Sequence, residues 1–183
     1  MGSRMKLLKT VRADISDTFV FDKAAEAGEW AISGAWLFAN LDPAILSGKR
    51  RSAFRSGFLG IGSFGWSTLA QIIEVSEEQR SMAVEQLAVR LLERCGAPDL
   101  ATARLAAAEE IAFAASLCDH PAGMLVAVSR RYDDEAIRES FRTLRANPYA
   151  KAEPVIRFVE AADEEAEPPQ HIGLVGLVDR ARQ

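Results

Sequence analysis

Histidine and cysteine are scarce in this chain, with two of each among 183 residues. Two cysteines, Cys95 and Cys118, cannot build a disulfide framework. With only His120 in the body and His171 near the end, a multi-histidine metal centre in the body is excluded. No apolar run approaches the roughly 20 residues that cross a bilayer, so no membrane association is expected. Positive charge is not in excess either. The chain carries 22 Lys+Arg against 26 Asp+Glu, a net charge of −4, and lacks the broad basic field of a general nucleic-acid binder. Nothing has the shape of a signal peptide, so a reducing cytoplasm is the expected location. Hydrophobic residues at 49% and charged residues at 26% are ordinary, which excludes disordered, collagen-like and coiled-coil classes.

The two ends read differently from the body. Met1-Gly2-Ser3-Arg4 precedes a second methionine, Met5, and reads as a cloning leader over residues 1–4. A single domain is expected over residues 5–159. Residues 160–183 then read as a linker and a short terminal segment. Glu160 to Glu167 holds five carboxylates and no base, and Pro168-Pro169 follows. Such a stretch repels itself and has little to bury. After it, Ile172-Gly-Leu-Val-Gly-Leu-Val178 is apolar and suited to dock on its own domain or on a neighbouring subunit.

All three Trp fall within the first 66 residues, and an alanine- and leucine-rich region follows from Ser76 to Cys118. Leu7 to Val11 and Thr18 to Phe21 fit strands. Trp30, Ile32, Trp36 and Phe38 alternate with small residues at the period of a strand, and Asp22 to Glu29 suits a hairpin loop. Leu46 to Phe58 is a basic helical stretch, and Ser67 to Val75 is strand-like. Ser76 and Gln79 form a capping-box pair ahead of a helix whose Val84, Leu87, Ala88, Leu91 and Leu92 share one stripe. Asp99 caps a second helix to about Leu117, in which Leu100, Ala103, Ala107, Ile111, Ala114 and Cys118 share a face. Its many alanines would let another helix approach closely, within the domain or across a dimer interface. Met124 to Val128 reads as a buried strand, Asp133 to Asn147 as a third helix, and Val155 to Val159 as a last strand. The order predicts an α+β fold: a mainly antiparallel sheet with an N-terminal β-hairpin, packed by about three helices.

Three constellations could carry chemistry. Gly60-Ile-Gly-Ser-Phe-Gly65 matches the dinucleotide pattern literally, but that chemistry needs a strand before the loop and a helix after it. Here the order is inverted, so the loop reads as a helix-to-strand connection. Cys118-Asp119-His120 places a thiol, a carboxylate and an imidazole together, and Glu110 sits eight residues back on the same helix. Its plain alternative is a buried cysteine followed by residues that end a helix. A pocket could gather Trp36, Trp66, Cys118, Asp119 and His120. Arg130 and Arg131 precede Arg138, Arg142 and Arg145, and those last three would form a helical stripe able to hold an anion. No metal site and no cofactor are implied.

Several segments together resemble a bacterial protein family of unknown function. They are Lys6-Leu-Leu-Lys-Thr-Val-Arg12, Ser16-Asp-Thr-Phe-Val-Phe21, Gly28-Glu-Trp-Ala31, Gly57-Phe-Leu-Gly60, Ser63-Phe-Gly-Trp-Ser-Thr68 and Ala112-Phe-Ala-Ala-Ser-Leu-Cys-Asp-His-Pro121. The similarity runs from Met5 to about Leu144. It implies relatives associated with molybdoenzyme maturation or a biotin/lipoate-ligase-like protein, and it assigns no reaction and no catalytic residues. The expectation is a non-enzymatic accessory or interaction protein, a homodimer with a possible protein partner. The alternative is a small-molecule-binding protein or enzyme with its pocket at Cys118-Asp119-His120.

Overall fold

A computed structural model describes residues 4–12, 15–134, 136–146 and 158–160. Among the described residues, eight strands form one sheet: β1 (Met5–Val11), β2 (Trp30–Ile32), β3 (Phe58–Gly60), β4 (Trp66–Ser67), β5 (Leu69–Val75), β6 (Leu125–Asp133), β7 (Ala136–Ala146) and β8 (Phe158–Glu160). Their order is β4-β3-β2-β1-β5-β6-β7-β8, and every neighbouring pair is antiparallel. The described residues also include four α-helices: α1 (Ser16–Val20), α2 (Gly48–Ser56), α3 (Glu77–Arg94) and α4 (Leu100–Ser116). The expected α+β class holds. Among the described residues, no helix is long and apolar enough to cross a membrane.

Helices α3 and α4 follow their local signals closely. The Ser76 side chain accepts from Gln79 N at 3.1 Å while the Gln79 side chain accepts from Ser76 N at 2.9 Å, the reciprocal pair of a capping box. Asp99 accepts from Thr102 N at 2.7 Å and starts α4. Ala83, Leu87, Ala88 and Leu91 of α3 pack with Ala103, Ala107, Ile111 and Ala114 of α4 against Leu7, Ile32, Leu59 and Ile61. Leu8, the next residue of β1, joins a different cluster with Ala31, Phe58, Ala70, Ile72, Val126 and Val128. Successive residues of a strand point to opposite faces, so one sheet serves two cores. A third cluster gathers Phe21, Phe38, Leu46 and Phe54.

Four expectations are corrected. Thr18 to Phe21 is not a strand: α1 occupies Ser16–Val20, with Phe19 exposed and Phe21 buried. The alternation from Trp30 to Phe38 carries a strand only to Ile32. Gly34 then adopts φ +72°, and a 3-10 helix runs over Ala35–Phe38. A Cβ at Gly34 would lie 2.8 Å from Leu59 Cβ, so close packing on β3 turns the chain there. The N-terminal antiparallel pair is β1 with β2, connected through α1 rather than by a tight loop at Asp22 to Glu29. Finally, the helix expected from Asp133 is β7, paired with β6 from Asp133↔Ala136 to Leu125↔Leu144. Ile137 and Phe141 are four residues apart, a spacing that keeps one face in a strand as well as in a helix. Pairing with β6 decides between them. The last strand is seen at Phe158–Glu160, and residues 155–157 lie outside the described residues. So do the leader up to Ser3 and the tail from 161 to 183.

Candidate functional site

The glycine loop, Gly60 to Gly65, carries the most suggestive motif of the chain. It is the turn between β3 and β4, with a short strand on either side and no helix after it. Its anion site is already filled from within. The Glu29 carboxylate accepts from Ser63 Oγ at 2.6 Å and Glu26 N at 2.8 Å, and from the Ser63 backbone N–H. A Cβ at Gly60 would stand 2.5 Å from Glu29 Oε2, and one at Gly62 would stand 2.5 Å from Glu29 Oε1. Arg90 donates to the Gly62 carbonyl at 2.6 Å. The glycines therefore admit a carboxylate of the same chain where a nucleotide loop would admit phosphate.

Cys118 is buried among Leu8, Ile72, Met124 and Val126, and its thiol donates to Ala114 O at 3.3 Å. Burial pushes the thiol's pKa up to about 12, so it is protonated at neutral pH and a poor nucleophile. Asp119 is exposed, and the His120 carbonyl accepts from Lys6 Nζ at 2.9 Å. In the native protein a thiol reagent is expected to label exposed Cys95 and to spare Cys118 until the chain unfolds. Rapid labelling of both under native conditions, counted by intact mass, would overturn this.

Trp36 lines an open hollow of about 320 Å³ with Ala35, Ala39, Ala136 and Ile137. Trp66 packs elsewhere against Phe38, ring centroids 5.3 Å apart. Neither Trp66 nor Cys118, Asp119 or His120 lines that hollow. The three arginines are not a helical stripe, because β7 is a strand. Arg138 and Arg142 share one face and Arg145 falls on the other. Arg138 is exposed and meets Asp133 at 3.3 Å.

One polar cluster had no sequence signal beyond its charge. The Arg130 side chain is fully buried, with Nε 2.9 Å from Glu139 Oε2. Its Nη1 donates to the carbonyls of Phe54 at 3.0 Å and Gly57 at 2.7 Å, at the C-terminal end of α2. Nη2 donates to Ser33 O, and Ser33 Oγ donates to Glu139 Oε2 at 2.5 Å. A cation at a helix C-terminus is favourable, so Arg130 ties α2, β6, β7 and the turn after β2 together. Nearby, burial raises the pKa of Glu110, and the charges of Glu139 and Glu109 raise it further. The cluster is saturated by its own hydrogen bonds, which suits holding structure better than turning over a substrate. Among the described residues, no group of three or more His, Cys, Asp or Glu is placed to hold a metal ion.

The outer side of α4 is the surface that stands out. Ala103, Ala107, Ile111 and Ala114 are buried, yet Ala101, Leu105, Ala106 and Ala112 face outward, Leu105 at 71% exposure, while Phe113 is part-exposed and packs edge-on against Phe141 with ring centroids 5.9 Å apart. Met82, Val89 and Leu92 add exposed apolar surface on α3. The apolar residues of α4 lie beside exposed Thr102, Arg104 and Glu109, and they exceed the single buried stripe that an ordinary surface helix carries. A count of apolar residues in excess of one buried stripe was the signal available beforehand. A comparison with curated proteins finds no match, and a comparison with solved structures finds none. Over residues 5–156, however, the chain matches a family of unknown function (DUF6505), and it belongs to that family.

Proposed function

We propose that this protein is a non-enzymatic accessory or interaction protein that works as a homodimer, with the outer face of α4 as the contact between copies. The observation that carries the reading is the exposed apolar run of Ala101, Leu105 and Ala112 on a helix whose inner side is already buried. A twofold contact must be complementary to itself. Two antiparallel copies of α4 meet that requirement, because Leu105 of one copy can seat against Ala112 of the other. Alanines there allow the interaxial approach of roughly 8–10 Å found between packed helices. Two free cysteines suit a reducing, cytoplasmic setting. A small-molecule site on Cys118-Asp119-His120 has less support, since the thiol is enclosed by apolar side chains.

The test is the mass of the full chain in solution, read by sedimentation equilibrium. The expected value is twice 20.0 kDa. Leu105→Asp should return it to a single chain with an unchanged circular dichroism spectrum. Losing two buried leucines per dimer costs roughly 3–6 kcal/mol, a hundredfold or more in affinity. A single-chain mass for the unaltered protein at about 100 μM, or a dimer indifferent to Leu105→Asp, would sink the proposal.

A further inference from the structure

Helix α2 concentrates positive charge on a chain that is acidic overall. It holds Lys49, Arg50, Arg51 and Arg55 and no acid, against a net charge of −4 for the whole chain. All four bases are exposed, while Ala53 and Phe54 face inward and pack with Phe21, Phe38 and Leu46. Among the described residues, Lys49, Arg50 and Arg55 enter no ion pair, and Arg51 Nε donates to Leu46 O at 2.9 Å. Asp42, a carboxylate ahead of the helix, is occupied in accepting from Ala44 N at 2.8 Å. Lys49 and Arg50 stand in the first turn, at the positive end of the helix dipole, where an acid is favourable and a base is not. Arg51 and Arg55 are like charges one turn apart. These placements cost α2 stability rather than adding to it.

Bulky apolar side chains flank this charge. Phe19 of α1, which lies against α2, is 68% exposed, and Ile45, just ahead of α2, is 58% exposed. Exposed apolar groups beside unpaired bases suit an anionic bilayer: the bases meet headgroup phosphates, and the apolar side chains enter the boundary with the acyl chains. Other polyanions fit less well. Side chains that stand this far out do not line a groove in which an acidic helix could lie, and the Trp36 hollow includes neither of them. A nucleic-acid backbone offers Ile45 no apolar partner.

We propose that α2, with Phe19 and Ile45, docks this protein on an anionic phospholipid surface. A few bases or two side chains alone bind weakly, and together they give reversible attachment. Peripheral contact of this kind needs no spanning helix, and none is present among the described residues. Helix α2 packs on α1 and β6, whereas α4 packs on α3, β1 and β2, so this face is distinct from the outer side of α4.

The experiment is co-sedimentation of the full chain with vesicles at physiological salt. Phosphatidylcholine vesicles with about one-third phosphatidylglycerol should retain it at least about tenfold better than phosphatidylcholine alone. Lys49→Gln with Arg55→Gln should weaken that binding by about tenfold or more, since each base near an anionic surface counts for roughly fivefold. Phe19→Ser with Ile45→Ser should weaken it severalfold. All four positions are exposed, and unchanged circular dichroism spectra check that the fold is intact. Equal binding to the two kinds of vesicle, or none to either, would overturn the proposal. So would indifference to the Lys49 and Arg55 changes. Binding that depends on those bases but not on Phe19 and Ile45 would overturn the bilayer in favour of a soluble polyanion, for which polyglutamate replaces the vesicles.

Discussion

Arg130→Met is expected to cost about 3–5 kcal/mol of folding stability, the range for removing one partner of a buried ion pair. That is a large part of a typical domain's roughly 5–15 kcal/mol. The methionine fills much of the space, but it leaves Glu139 charged and half-buried without its cation. It also removes the donor to Phe54 and Gly57 at the end of α2 and to Ser33 after β2. Urea unfolding at neutral pH measures the loss. Adding Glu139→Leu should recover part of it, because a buried pair replaced whole is far less costly than one broken. The helix-end carbonyls stay unpaired, so recovery should be incomplete. A loss below about 1 kcal/mol for Arg130→Met would show that the cluster does not hold these elements together.

Gly62→Ala is the second large effect, and it separates two readings of the glycine motif. The new Cβ would sit 2.5 Å from Glu29 Oε1 and 3.4 Å from Gln86 Nε2. Glu29 must withdraw, losing charge-assisted bonds to Ser63 and Glu26, for an expected cost of about 2–3 kcal/mol. If the clash with Glu29 is the cause, the cost largely vanishes in a Glu29→Ala background. The double-mutant cycle should then show a coupling of at least about 1 kcal/mol. Gly65→Ala behaves differently, because its Cβ would lie 2.5 Å from the Ala24 backbone carbonyl. Backbone cannot swing aside as a carboxylate can, so that loss should persist without Glu29. Additive effects of Gly62→Ala and Glu29→Ala would refute the carboxylate cradle.

These two sites differ in how far they could be read beforehand. The glycine loop was visible as a pattern, and its context argued against a nucleotide. The occupant, Glu29, lies 34 residues from Ser63, a distance over which no local spacing rule operates. Arg130 stood beside Arg131 as one more basic residue. Alternation along β6 then turns one of them fully inward and the other outward. Arg138, Arg142 and Arg145 show the converse, because a spacing of four and three residues makes a stripe only on a helix.

Local chemistry by itself determined α3 and α4, down to the capping box at Ser76 and the cap at Asp99. It also determined β1, β5 and the antiparallel α+β class. In each case the preference comes from a period and from groups within a few residues of one another. Tertiary structure decided the rest. It chose strand over helix at β7, because nine cross-strand pairings with β6 outweigh a periodicity that both conformations satisfy. It ended the aromatic strand at Ile32, because Gly34 packs against Leu59 and Trp66. It placed Cys118 in an apolar core and Arg130 at a helix end, since burial is a property of what the distant chain brings alongside.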